Sequence, residues 1–306
     1  MTAPSSIYRG RFAPSPTGPL HFGSLVTAVA SYLQAKTNNG EWLVRIEDID
    51  PPREIGGAAQ SILTSLDTHG FAWDKSLELW QSSRLSNYRR VTQALLDDGH
   101  AYVCTCSRQQ LKRTAASGPH GIIYPGTCRD AGHPYTDTAS IRLITDEHPV
   151  SLHDQIQGDS SANLSAESGD FLIRRGDGLV AYQLAVTVDD AHQEITEVVR
   201  GIDLLPSTYF QIHLQHVLGS TTPDYAHIPI VVDASGHKLS KQNGAKALDP
   251  DNPELNILRA LHFLEQSPPK SLSHATLNEI WGWALENWQI SSLRSITEKP
   301  EIGHFP

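Results

Sequence analysis

Two stretches of this sequence carry residue types suited to phosphate chemistry. The first runs Arg11-Phe12-Ala13-Pro14-Ser15-Pro16-Thr17-Gly18-Pro19-Leu20-His21-Phe22-Gly23-Ser24, a rigid Pro/Gly loop leading into a helix start. A helix N-terminus presents unpaired N–H groups and the positive end of a dipole, so it can hold a phosphate or the base and ribose beside it. His21 can donate to a phosphate oxygen, and Gly23 lets a nucleotide lie against the backbone. The second stretch, Gly236-His237-Lys238-Leu239-Ser240-Lys241-Gln242, sets two lysines on one loop. Each alone has a plain reading, as a Pro-rich turn with a capping His or as solvated lysines. Together they point to a triphosphate gripped from two sides.

A third group is Cys104, Cys106 and Cys128, the only cysteines of the chain. An odd number confined to one segment is no disulfide framework, which favours a reducing cytoplasm and a metal or structural role. Thiolates at i and i+2, with another some twenty residues on, can converge on one tetrahedral Zn²⁺ that needs a fourth ligand. On general chemistry His120 or His133 would be commoner there than Tyr124. The adjacent carboxylates Asp189 and Asp190 read as structural, closing a strand.

The elements that must position these groups can be read from periodicity. Ile7 to Phe12 reads as a strand. Leu25, Val29 and Leu33 recur at helical spacing until Asn38-Asn39-Gly40, and Trp42 to Ile46 reads as a buried strand. Such a βαβ unit gathers ligands at the carboxyl ends of its strands. Leu85, Tyr88, Val91 and Leu95 predict another helix. A polar stretch to about Ser168 reads as an insertion. Phe171 to Arg175, the turn Gly176-Asp177-Gly178 and Leu179 to Val188 are expected to form a hairpin. Val198 to Leu205 and Ile228 to Val232 read as further strands, and the tail after Asp249 as helical. The expected divisions are 1–100 and 169–248 for two halves of a catalytic domain, 101–168 for the insertion and 249–306 for the tail.

At 306 residues the chain is long enough for a large core, and 34 acidic against 24 basic side chains give a net charge of -10. That excludes a protein that coats nucleic acid or anionic membrane by sheer positive charge. The longest uncharged run, Phe12 to Ala35, is interrupted by prolines and glycines, so no membrane span is expected.

The strings RFAPSPTGPLHFGS, VRIEDIDPPRE, FAWDKS with QSSR, AYQLAVTVDDAHQEITEVVRGIDLL and HKLSK, in that order, resemble the catalytic half of the glutamyl-tRNA synthetases, over about Tyr8 to Leu248. The resemblance implies an α/β fold, a class I synthetase Rossmann-like nucleotide-binding domain, with ATP, Mg²⁺ and L-glutamate as partners. It implies that His21, Lys238 and Lys241 serve catalysis and that His21, Gly23 and Lys241 bind ATP. It places Arg11, Phe12, Ala13, Pro14, Ser15, Glu47, Tyr182 and Arg200 around glutamate. The chemistry suits that list, since two guanidinium forks match two carboxylates and Glu47 matches the ammonium.

Two departures narrow the resemblance. The stretch after Asp249 is too short for the usual helical anticodon-binding domain, so none is expected. The pattern Cys-x-Cys followed by Tyr-x-x-x-Cys, together with EDIDPPR, is similar to a truncated subfamily, the glutamyl-queuosine tRNA(Asp) synthetases. That likeness implies one structural Zn²⁺ held by Cys104, Cys106, Tyr124 and Cys128, in a zinc-containing insertion. It also implies a monomer that esterifies glutamate to queuosine in the anticodon of tRNA(Asp). Arg84, Arg89, Arg90, Lys112 and Arg113 are candidates for phosphate contacts with that tRNA.

Overall fold

In β2 (Glu41–Ile46), which lies beside β1 (Arg9–Phe12), successive side chains enter different cores, which makes this sheet the middle layer of the molecule. Trp42, Val44 and Ile46 join one buried cluster and Leu43 the other. A strand buried on both faces needs helices above and below it. The computed structural model describes residues 7–233, 235–239 and 246–301.

β1 and β2 run parallel around helix α1 (Phe22–Thr37), in which Leu25, Val29 and Leu33 are wholly buried, as their spacing predicts. Helix α2 (Ala58–Thr68) leads to the short β3 (Leu79–Trp80), which adds parallel to β2. Helix α3 (Leu85–Asp97) precedes β4 (Ala101–Cys104). The segment expected as an insertion contains α4 (Arg108–Thr114), β5 (Ser117–Gly118), β6 (Gly121–Ile122), β7 (Ser140–Leu143), β8 (Val150–Asp154), β9 (Gly158–Ala162) and α5 (Leu164–Glu167). Strand β7 pairs with β4 and with β10 (Phe171–Arg174), while β8 reaches the parallel pair formed later in the chain.

That pair is β11 (Glu197–Gly201) and β12 (Asp224–Ile228), separated by α7 (Leu205–Leu218). β11 lies beside β1, where the Thr196 N–H donates to Arg9 O at 2.9 Å. The strands therefore run β3, β2, β1, β11, β12. The order reverses between β1 and β11, where an open α/β sheet forms its ligand crevice. Helices α8 (Pro253–Phe263) and α9 (Leu277–Asn287) pack with α1, and β14 (Glu298–Pro300) pairs with β13 (Ile230–Val232). Among the described residues no helix is long and apolar enough to cross a membrane.

Three strand expectations change. Leu179 to Val188 does not complete a hairpin: only Val180 bridges to Arg174, and α6 (Tyr182–His192) follows. Asp189 and Asp190 therefore lie in a helix rather than at a strand end. Residues 184 to 187, 189 and 190 are all buried, and a helix covered on most sides shows no polar stripe to reveal its period. The strand from Val198 ends at Gly201, before α7 starts at Leu205. Ile228 to Val232 is split at Pro229, which has no N–H to give a ladder.

Candidate active site

The cleft at the switch point has a volume of about 560 Å³ and gathers side chains from segments far apart in sequence. β1 delivers Arg11 and Phe12 to its wall, and Ala13, Pro14 and Ser15 follow in the loop. His21 and Gly23 stand at the start of α1, Glu47 just past β2, Tyr182 at the start of α6, Arg200 in β11 and Lys238 after β13. Lys241, with Ser240 and Gln242, lies outside the described residues.

His21 is the N-cap of α1. Its Nδ1 accepts the Ser24 N–H at 3.4 Å, which leaves the proton of the neutral ring on Nε2, 3.1 Å from Ser24 Oγ. The Gly23 backbone lies so close that a Cβ there would stand 3.2 Å from the imidazole Cε1. Gly23 thus gives the ring its room. Lys238 is paired with Asp203, Nζ to Oδ2 2.5 Å, on the rim of the same cleft.

The acidic and basic groups at the cleft floor form a buried network that sequence reasoning only half exposed. Asp190 accepts from Arg11 Nε at 3.1 Å and Nη2 at 3.4 Å, and pairs with Arg45 Nη1 at 2.8 Å. Burial works against its charge, but the two guanidinium groups outweigh it and hold its pKa below the ordinary carboxylate value. Arg45 Nη2 stands 3.5 Å from Glu47 Oε1. Burial raises the Glu47 pKa to about 7, although Arg45 and Arg11 pull it down. Asp189 accepts from Gln81 at 2.8 Å, Arg84 at 2.7 Å and Tyr88 at 2.6 Å, so its role is structural. Arg84 is therefore committed inside the fold rather than offered to a nucleic acid, whereas Arg89, Arg90, Lys112 and Arg113 are exposed.

Arg200 gives Nη2 to Thr208 Oγ1 at 2.7 Å, Nε to His227 Nε2 at 3.2 Å and Nη1 to the Tyr182 hydroxyl at 3.4 Å. Burial raises the Tyr182 phenol pKa despite Arg200, so it stays protonated and can donate into the cleft. Arg45, Thr208 and His227 complete the buried network at the cleft floor without a sequence signal of their own. Arg45 sits inside the VRIEDIDPPRE string, but nothing in the string ties it to Asp190, and Thr208 and His227 lie in buried elements with no local pattern that marks them.

The thiols of Cys104, Cys106 and Cys128 lie within 4.8 Å of one another, with Cys106 and Cys128 3.5 Å apart. Sulfurs bound to one tetrahedral ion stand about 3.8 Å apart, so the cluster fits a single metal ion. Cys104 ends β4, and Cys106 directly precedes Ser107, whose capping box starts α4. The Tyr124 hydroxyl stands 3.4 Å from Cys104 Sγ and 3.8 Å from Cys106 Sγ. His120 instead packs on Tyr209 and Phe210 with its Nε2 3.2 Å from Glu167 Oε2, and His133 meets Thr105 at 3.3 Å. Gly169, with φ 65°, lets the Tyr124 backbone approach where a Cβ would stand 2.1 Å from its carbonyl oxygen.

Residues 8–264 match the family model described as tRNA synthetases class I (E and Q), catalytic domain. The chain is 48% identical to a glutamyl-Q tRNA(Asp) synthetase of Pseudomonas aeruginosa, over 97% of this chain and 99% of that one. The chain belongs to the glutamyl-Q tRNA(Asp) synthetases of class I. A second such relative, from Aromatoleum aromaticum, is 47% identical over 97% of this chain and 94% of its own. The crystal structure of a glutamate-tRNA synthetase from Elizabethkingia anophelis superposes with a TM-score of 0.77 at 25% identity, covering 96% of this chain and 68% of that one. The class I α/β fold expected from the motifs is thus the fold this synthetase has.

Proposed function

We propose that this synthetase activates L-glutamate with ATP and transfers it to the queuosine base of tRNA(Asp). The observation that carries the reading is one cleft holding two buried guanidinium groups, one buried carboxylate and a histidine at a helix N-terminus. A free amino acid with a side-chain carboxylate has the complementary charges. Arg11 and Arg200 receive the two carboxylates, Glu47 the ammonium, and Tyr182 donates through its hydroxyl. An α-carboxylate oxygen attacks the α-phosphorus of ATP, and the bond to pyrophosphate breaks. His21 Nε2–H and the lysines of the 238–241 loop stabilise the charge that develops on phosphate, with Mg²⁺ accompanying ATP. Lys238 leaves Asp203 to do so. No protein nucleophile is required, because catalysis is by positioning and electrostatics.

The acceptor is tested by offering labelled glutamate, ATP and Mg²⁺ with tRNA(Asp) carrying either queuosine or unmodified guanine at the wobble position. Label on the queuosine form alone is the expected result. Label on the 3′ end of tRNA(Glu) instead would make this an ordinary charging enzyme.

Glutamate binding should depend on pH through Glu47. Below about pH 7 its carboxyl is protonated in the empty site, and an incoming ammonium must expel that proton. The KM for glutamate is therefore expected to fall about tenfold between pH 6 and pH 8, as one proton titrating near 7 requires. Glu47→Gln should raise KM and flatten this dependence. A wild-type KM that is flat over this range would count against the assignment.

The ion in the cysteine cluster is, on this reading, zinc, with Cys104, Cys106, Cys128 and Tyr124 as ligands and a structural role. Elemental analysis should find one zinc per chain and none in Cys106→Ser. An ion present at a thousand times its Kd stabilises the fold by about 4 kcal/mol, so chelation should lower the melting temperature by several degrees. A melting curve unmoved by metal loss would contradict a structural role.

A further inference from the structure

Arg200 is held from behind by a buried chain of side chains that take no part in the proposed chemistry. His227, in β12, is wholly buried, as is Thr208, and Asp154 at the end of β8 is 1% exposed. The His227 Nδ1 stands 2.6 Å from Asp154 Oδ2, while its Nε2 faces Arg200 Nε at 3.2 Å and Thr208 Oγ1 at 3.0 Å. These contacts fix the tautomer. A guanidinium N–H can only donate, so Nε2 must carry the lone pair and Nδ1 the proton. Asp154 accepts the hydrogen bond from Nδ1–H and is itself anchored by the backbone N–H groups of His227, Ile156 and Gln157. The Tyr225 ring stacks parallel to the imidazole, 6.0 Å between centroids, with the Arg200 guanidinium 5.5 Å from its centroid.

The arrangement does more than pack a core. His227 is committed to one neutral tautomer, and its Nε2 lone pair faces the Arg200 guanidinium together with Thr208 Oγ1, which itself accepts from Arg200 Nη2. We propose that His227, oriented by Asp154, is a positioning residue for amino-acid recognition: it aims the Arg200 fork at the substrate carboxylate. The proposal rests on the reading of Arg200 as a glutamate ligand and deepens it. Asp154 and His227 come from two strands paired side by side in one sheet. The aim of Arg200 is therefore set by sheet register rather than by a loop.

The test is ATP–pyrophosphate exchange with glutamate, comparing wild type, His227→Asn and His227→Gln, with melting temperatures measured alongside. Asn can still donate to Asp154 from near the Nδ1 position but presents nothing to Arg200. Gln can place its amide oxygen where Nε2 stood. The expected result is a KM for glutamate raised roughly tenfold or more in His227→Asn, with the KM for ATP and the melting temperature near wild type. His227→Gln should recover much of the loss. Equal KM values for glutamate in wild type and His227→Asn would overturn the proposal. So would parallel losses for glutamate and ATP in both variants, which indicate packing alone. Absence of glutamate-dependent exchange in the wild type would instead overturn the glutamate reading itself, and the proposal with it.

Discussion

Arg200→Ala is expected to lower kcat/KM for glutamate in ATP–pyrophosphate exchange by at least about 10²-fold. A charge-assisted hydrogen bond contributes about 1.5 to 3 kcal/mol, and a guanidinium fork can give a carboxylate two. Tenfold corresponds to about 1.4 kcal/mol, so two lost bonds account for a loss of that size. Arg200 is 3% exposed, and its guanidinium is held in position by Thr208, His227 and Tyr182. Arg200→Lys should rescue little, because an ammonium cannot hold those three partners and a carboxylate together. The KM for ATP should stay near its wild-type value. A loss smaller than tenfold would show that the substrate carboxylates are held elsewhere.

His21→Ala is expected to act on the other substrate, lowering kcat by about 10²- to 10³-fold, the usual cost of removing one donor from a developing oxyanion. The ring is set for that task by its surroundings. Nδ1 is occupied by the Ser24 N–H, so Nε2 carries the proton. The tight approach of Gly23 leaves the ring little freedom. Because this bond strengthens only as charge builds on phosphate, the KM for glutamate should hardly change. A matching rise in the KM for glutamate would place His21 in the amino-acid pocket instead.

These two residues were reachable from sequence by different routes. His21 stands in a Pro/Gly loop that opens a helix, a local pattern whose residues dictate its shape. Arg200 emerged only from the resemblance of its surrounding string to a family, since one arginine in an apolar strand announces nothing by itself. The thiol cluster was legible because Cys104, Cys106 and Cys128 lie close in sequence. Which of Tyr124, His120 and His133 stands near the thiols was not, because α7 places Tyr209 and Phe210 beside His120 while the Tyr124 hydroxyl lies 3.4 Å from Cys104 Sγ. In the same way, Arg84 reads as a surface cation until α6 brings Asp189 to within 2.7 Å of it.

The amino-acid sequence by itself determined the βαβ opening, the position of the histidine that caps the first helix and the grouping of the three thiols. Helix periodicity, turn residues and short-range spacing act within a few residues and need no knowledge of the rest of the chain. Only the tertiary structure decided that Asp190 lies in a helix and grips Arg11, 179 residues away, and that Asp154 and His227 stand behind Arg200. A buried charge must find a partner or remain unionised. Which partner it finds is fixed by the register and order of strands, and these are set by the packing of the whole chain.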